Sequence, residues 1–214
     1  MAEFVILVDG NDKPIGSEEK VRCHLPDGKL HRAFTALLFD ADGRLVLTKR
    51  SSGKMLWPGG WDGTFASHPR EGETYVSSAE RRMPEEMGLK CSMDYLFKFE
   101  YHVPYRDVGS ENEVCGTLMG VVESGARFDL VEGEISETRR LSADELASEL
   151  RDSPGMYCPW MLIALYFLDA SRPEMLEKHK NVLGGWVRPE VKGRMRKSIE
   201  THLPESQWRL VRDE

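Results

Sequence analysis

Long apolar runs are scarce in this 214-residue chain. The longest candidate, MLIALYFL at 161–168, falls well short of the roughly 20 residues that a bilayer-spanning helix needs. The start, MAEFVILVDGNDKPIG, lacks a basic leader and alternates like a strand, so no signal peptide is read there. Cysteine is sparse too: Cys23, Cys91, Cys115 and Cys158 show no CxxC spacing, which suits a reducing compartment and makes the cytoplasm the expected location. An excess of positive charge is also missing. A net charge of −7 excludes a general nucleic-acid binder, because nothing overall offsets phosphate repulsion, though a local basic cluster can still hold a small phosphate ligand. Repeats and low-complexity tracts are absent. What is there, 40% hydrophobic and 30% charged residues, describes an ordinary soluble protein long enough to bury a substantial core.

EFVILVD (3–9) reads as a short strand closed by a turn. The next segment, 17–34, predicts a helix capped at Ser17 that breaks at Pro26–Gly28. RAFTALLFD (32–40) and RLVLTKR (44–50), joined by ADG, form the clearest hairpin. WDGTFASH is a short strand or loop leading into a helix at about 73–87, and YLFKFEYHV (95–103) and NEVCGTLMGVVES (112–124) alternate as strands. Ser142 and Glu145 stand in capping-box spacing before a helix at 141–150. A second helix, 159–170, opens on Pro159. Strands alternating with helices in this order predict an α/β or α+β fold, a mixed sheet sandwiched by helices. We expect one domain over 1–170 and a helical C-terminal extension over 171–214, with a basic surface or a lid or dimer role, anchored by Trp186 and Trp208.

One set of residues has the chemistry of a metal site. His24 and His31 flank a turn, His68 ends the strand before the 73–87 helix, and Glu111 and Glu113 lie two apart on one strand face. Three imidazoles and two carboxylates suit zinc, manganese or a similar divalent ion. His102, His179 and His202 read as ordinary surface histidines.

From Ser67 onward, SHPREGETYVSSAERRMPEEMG resembles the Nudix box, with Glu73, Arg81, Glu85, Glu86 and Gly88 in place. Ser67 replaces its first glycine, and Arg82 replaces a glutamate of the helix cluster, exchanging a metal ligand for a diphosphate donor. Pro84 inside that helix forfeits a backbone hydrogen bond at about 3 kcal/mol, which predicts a kink or irregular turn.

The segments HLPDGKLHRAF, LWPGGW, SHP, RR..EE.G, ENEVC and CPWM occur in the order and nearly the spacing of the type 1 isopentenyl-diphosphate isomerases, a Nudix-fold family that the chain resembles from about residue 3 to 170. The resemblance implies conversion of isopentenyl to dimethylallyl diphosphate in isoprenoid biosynthesis. It implies Mn²⁺ or Zn²⁺ at His24, His31, His68, Glu111 and Glu113, and Mg²⁺ held by Glu86 against the substrate diphosphate. Lys20, Arg50, Lys54 and Arg82 match its diphosphate-binding positions, and Glu113 with Tyr101 its acid side. Trp160 matches a cation-shielding tryptophan, with a plain core aromatic as the other reading.

Ala66 stands where the best-known members carry a catalytic cysteine, and a methyl group moves no proton. WDGTFASHP resembles the version found in archaeal-type members, which also have alanine there. Three neighbours are weighed as substitutes. Ser67 points to the opposite face of a regular strand, Thr64 lies about 6.6 Å along Ala66's own face, and Asp62 about 13 Å along it. With Gly63 permitting a bend, Asp62 is the candidate base. Two alternatives remain open: a Nudix hydrolase of a prenyl or other diphosphate, and a non-catalytic prenyl-diphosphate binder. The expected partner is a small-molecule diphosphate, with no nucleic acid or membrane span, in a monomer or homodimer.

Overall fold

HRAFTALLFD, apolar on both faces, forms the central strand of a mixed sheet, as a strand covered on two sides must. The computed structural model describes residues 2–131 and 133–213. An antiparallel pair, β1 (Phe4–Val8) and β2 (Pro14–Glu19), opens the chain. Helix α1 (Lys20–His24) follows directly, capped by the Glu19 carboxylate, which accepts from the N–H groups of Val21 and Arg22. Ser17 therefore lies within β2, and the helix starts two residues later than its cap spacing suggested.

The expected hairpin between β3 (His31–Asp40) and β4 (Leu45–Arg50) is only a corner, with Phe39↔Leu45 as its single register pair. Strand β3 instead runs parallel to β8 (Gly109–Val122) over ten positions, from His31↔Glu113 to Asp40↔Val122. Burial on both faces rewards that central placement more than a hairpin would. Strand β4 leaves to pair with β9 (Ile135–Leu141) and β5 (Trp61–Asp62). The other edge of β3 takes β6 (Phe65–Ser67), with Thr35 opposite Ala66. WDGTFASH is thus two strands broken at Gly63–Thr64, and the regular strand assumed for the face of Ala66 does not exist.

Helix α2 (Tyr75–Met87) is capped by a Thr74–Ser77 box and stays α-helical through Pro84, against the expected irregularity. The carbonyl four residues back belongs to exposed Glu80, so the group left without its N–H partner faces solvent and not the core. Gly88 closes the helix at φ 66°, and a Cβ there would lie 2.5 Å from that of Asp129. Strand β7 (Asp94–Tyr105) pairs with β8, and helices α3 (Ala143–Asp152) and α4 (Pro159–Tyr166) follow β9.

Beyond residue 171 come α5 (Pro173–Lys178), α6 (Lys180–Leu183), α7 (Pro189–Ile199) and a strand that was not expected, β10 (Trp208–Val211), added to β7. The main path of the sheet runs β10-β7-β8-β3-β1-β2. One face buries α4 and α7 together with Trp186 and Trp208; the other buries Met83 and Met87 of α2. Among the described residues no helix is long and apolar enough to cross a membrane.

Candidate active site

A cleft opens on the sheet face toward α4, with Ala66, Tyr101, Glu113, Cys115 and Trp160 among the residues lining it. The register of three adjacent strands builds its floor. Tyr101 on β7, Glu113 on β8 and His31 on β3 are direct cross-strand neighbours, so their side chains share one face. Glu113, only 6% exposed, accepts the Tyr101 hydroxyl on Oε2 at 2.6 Å. Its Oε1 lies 3.4 Å from His31 Nε2 and 3.5 Å from His68 Nε2.

The histidine tautomers follow from their second partners. His24 Nδ1 donates to the Lys20 carbonyl at 2.7 Å and His31 Nδ1 to the Lys29 carbonyl at 2.8 Å. Each Nε2 therefore turns a lone pair inward. His24 Nε2 stands 3.1 Å from Glu111 Oε2, an oxygen with no hydrogen-bond donor among the described residues. His31 Nε2 stands 3.2 Å from His68 Nε2. At His24 and Glu111 an acceptor thus faces an acceptor, an arrangement that calls for a positive charge between them, while His68 Nδ1 has no partner among the described residues. One ligand atom each from His24, His31, His68 and Glu113 lies within 4.8 Å of the others, so the donor set fits a divalent cation, with Glu111 flanking it.

The protein's own charges tell the same story. Burial opposes charge on His31, but hydrogen bonds that the ring donates to Cys23 and Glu113 outweigh it and raise the ring to about 10. Burial, with the neighbouring His31 charge, lowers His68 to about 3. Burial opposes charge on His24 as well, but Glu111 outweighs it and raises that ring. Burial also pushes Glu113 up, but its histidine partners prevail and hold it well below the usual carboxylate range. Burial and the Glu113 charge lift the Tyr101 phenol well above its ordinary value, so it keeps its proton.

Of the cations expected to grip a diphosphate, Lys20, Arg50 and Lys54 line the cleft and Arg82 is not among its lining residues; each of the four has a carboxylate partner. Lys20 pairs with Glu3 at 3.0 Å and Lys54 with Glu134. Arg82 reaches Glu86 at 2.6 Å and Glu85 at 2.7 Å on its own helix. Burial raises the Glu86 carboxyl, which Arg82 only partly offsets. Arg50 holds Asp62 Oδ2 at 3.2 Å and the carbonyls of Leu56 and Trp57.

Asp62 does not sit as a stand-in base. Its Oδ1 accepts the Trp160 indole N–H at 2.7 Å and the Gly63 N–H at 2.7 Å, so its acceptors are occupied and it is only 3% exposed. Thr64 is likewise engaged, donating to the Val46 carbonyl at 2.7 Å and accepting from the Leu38 N–H at 2.8 Å. Ser67 does line the cleft, beside the half-buried methyl of Ala66. His179, expected on the surface, is buried and bonds Asp94 at 2.8 Å. His102 bonds the Asp27 carbonyl away from this cluster, and His202 is half-buried, its ring lowered by burial. Sequence reasoning missed Glu3 and Glu134, whose pairing with lysines 17 and 80 positions away leaves no local signal.

The NUDIX domain model matches residues 29–161. The chain is 36% identical to an isopentenyl-diphosphate Delta-isomerase of Halobacterium salinarum, over 75% of this chain and 78% of that protein. It is 39% identical to the isopentenyl-diphosphate Delta-isomerase of Streptomyces avermitilis, over 82% and 88%. Among solved structures it is similar to DR0079 of Deinococcus radiodurans, with a TM-score of 0.62 at 19% identity over 76% of this chain and 97% of that one, a likeness of fold.

Proposed function

The chain belongs to the NUDIX domain family and, within it, to the isopentenyl-diphosphate Delta-isomerases, and from that premise we propose that it converts isopentenyl diphosphate to dimethylallyl diphosphate. The observation that carries this reading is the Tyr101–Glu113 pair, a protonated phenol 2.6 Å from a carboxylate, at the floor of a cleft whose wall includes Trp160. Hydrolysis is less well served, because Arg82 neutralises Glu85 and Glu86 on the helix where such an enzyme gathers metal-binding carboxylates.

Lys20, Arg50, Lys54 and Arg82 exchange carboxylate partners for diphosphate oxygens and orient the five-carbon chain toward the floor. The Glu113–Tyr101 pair takes up one proton from solvent and passes it along their short hydrogen bond to the terminal alkene carbon, so that Glu113 returns to a carboxylate and Tyr101 to a phenol. Positive charge then develops at the tertiary carbon, where the Trp160 ring attracts it. Loss of a proton from the neighbouring methylene restores the double bond one position along. Ala66 takes no part in that step; Ser67, at the cleft wall, relays the proton to solvent.

His24, His31, His68, Glu111 and Glu113 would hold a divalent ion, Mn²⁺ or Zn²⁺, and Glu86 a Mg²⁺ beside the diphosphate. When bound, such ions supply positive charge that holds Glu113 ionised and screens the phosphates. In the cytoplasm, the setting expected for this enzyme, the diphosphate is the only partner the chemistry requires.

Proton NMR of the protein with isopentenyl diphosphate in D₂O, with Mg²⁺ plus Mn²⁺ or Zn²⁺, tests the reading. Deuterated dimethylallyl product is expected. Release of phosphate or pyrophosphate without isomer would make the chain a hydrolase. Tight binding without turnover would make it a binder.

A further inference from the structure

We propose that Asp62 is a positioning residue that couples the two ends of the substrate site, fixing Trp160 at the hydrocarbon end and sharing the charge of Arg50 at the diphosphate end. The inference rests on the isomerase reading and gives Asp62 a role other than proton transfer.

One carboxylate touches both groups. Oδ1 accepts the indole N–H at 2.7 Å and Oδ2 accepts Arg50 Nη1 at 3.2 Å. Neither partner can turn away freely. The Arg50 guanidinium carbon lies 5.1 Å from the centre of the Trp160 ring, and the Trp57 ring meets that indole edge-on at 5.2 Å. Asp62 itself is fixed by its place on β5, opposite Thr48 of β4.

Two consequences follow. A charged acceptor on the indole N–H adds electron density to the ring, strengthening its attraction for a cation in the cleft. The same carboxylate neutralises part of the Arg50 charge, so Asp62 competes with the diphosphate for that guanidinium. Asp62 thus favours the cationic transition state over tight binding of the ground-state diphosphate.

Asp62→Asn keeps the shape and an amide oxygen but removes the charge. In the folded variant, calorimetry with inorganic pyrophosphate is expected to show binding tightened several-fold, while kcat falls about tenfold and KM falls rather than rises. In a Trp160→Phe background the effect of Asp62→Asn on kcat is expected to vanish, and its effect on pyrophosphate to persist. Weaker or unchanged pyrophosphate binding, or an equal loss of kcat in both backgrounds, overturns the proposal. Should Asp62→Asn not fold, the wild type provides the test. The Trp160 indole N–H resonance, assigned by its loss in Trp160→Phe, should shift when pyrophosphate draws Arg50 from Asp62, and no shift overturns the coupling. A wild type without isomerase activity would refute the proposed function while leaving the pyrophosphate and NMR results readable.

Discussion

Glu113 meets partners from three parts of the sheet: Tyr101 on β7, His31 on β3 and His68 just past β6. Removing its charge tests the acid side without enlarging the cavity. Glu113→Gln is expected to lower kcat by about 100-fold or more and reduce the bound metal, while pyrophosphate affinity stays as in the wild type. Steady-state kinetics, elemental analysis and calorimetry read the three quantities, and unchanged turnover would remove Glu113 from the mechanism. At this scale the gathering of His24, His31, His68 and Glu113 was legible, because imidazoles and carboxylates at those positions have few other uses together. The environment of Asp62 was not. Its partners Arg50 and Trp160 lie 12 and 98 positions away, and a side chain's hydrogen bonds are set by what folding brings beside it.

Elements position the diphosphate end. The loop before β9 provides Glu134, which occupies Lys54 while no phosphate does. Glu134→Gln should free that lysine and tighten pyrophosphate binding several-fold; weakened binding would mean that Glu134 orients Lys54 productively. At the start of α2, Glu73 accepts Arg81 Nε at 2.6 Å and Nη2 at 2.9 Å, tying the preceding loop to the helix. The Arg81 hydrogen bonds hold the Glu73 carboxyl at about 2, below its ordinary 4.5. A carboxyl depressed by folding contributes stability that is complete above about 4.5 and is lost as the pH falls toward about 2. Thermal melts of Glu73→Gln should therefore fall less steeply than those of the wild type across that window. Equal slopes would show that this ion pair contributes nothing to acid stability. Helix α2 was readable from its box and caps, whereas the partners of β4 were not, since two apolar strands joined by a short turn also suit an ordinary hairpin.

For the whole molecule, residues past 171 supply Trp186, Val191, Met195, Ile199 and Trp208 to the core beneath the cleft. Trp208 is the register partner of Tyr101, and Trp186 donates to the Gly43 carbonyl at 2.9 Å. A chain ended at Ala170 is thus expected to lose cooperative unfolding, and Trp186→Ala in the full chain to lose about 3–5 kcal/mol. Differential scanning calorimetry distinguishes this from a free-standing extension, for which the truncated chain would keep a sharp transition.

Sequence by itself determined the class of the fold, the Nudix box and the histidines and carboxylate that gather in one cluster. Residue chemistry and local spacing are enough for those. Only the tertiary structure decided that β3 pairs with β8, that Glu3 and Glu134 hold Lys20 and Lys54, and that Asp62 binds the Trp160 indole. Each of these depends on contacts between distant segments, and such contacts exist only once the sheet sets its register and the helices close over it.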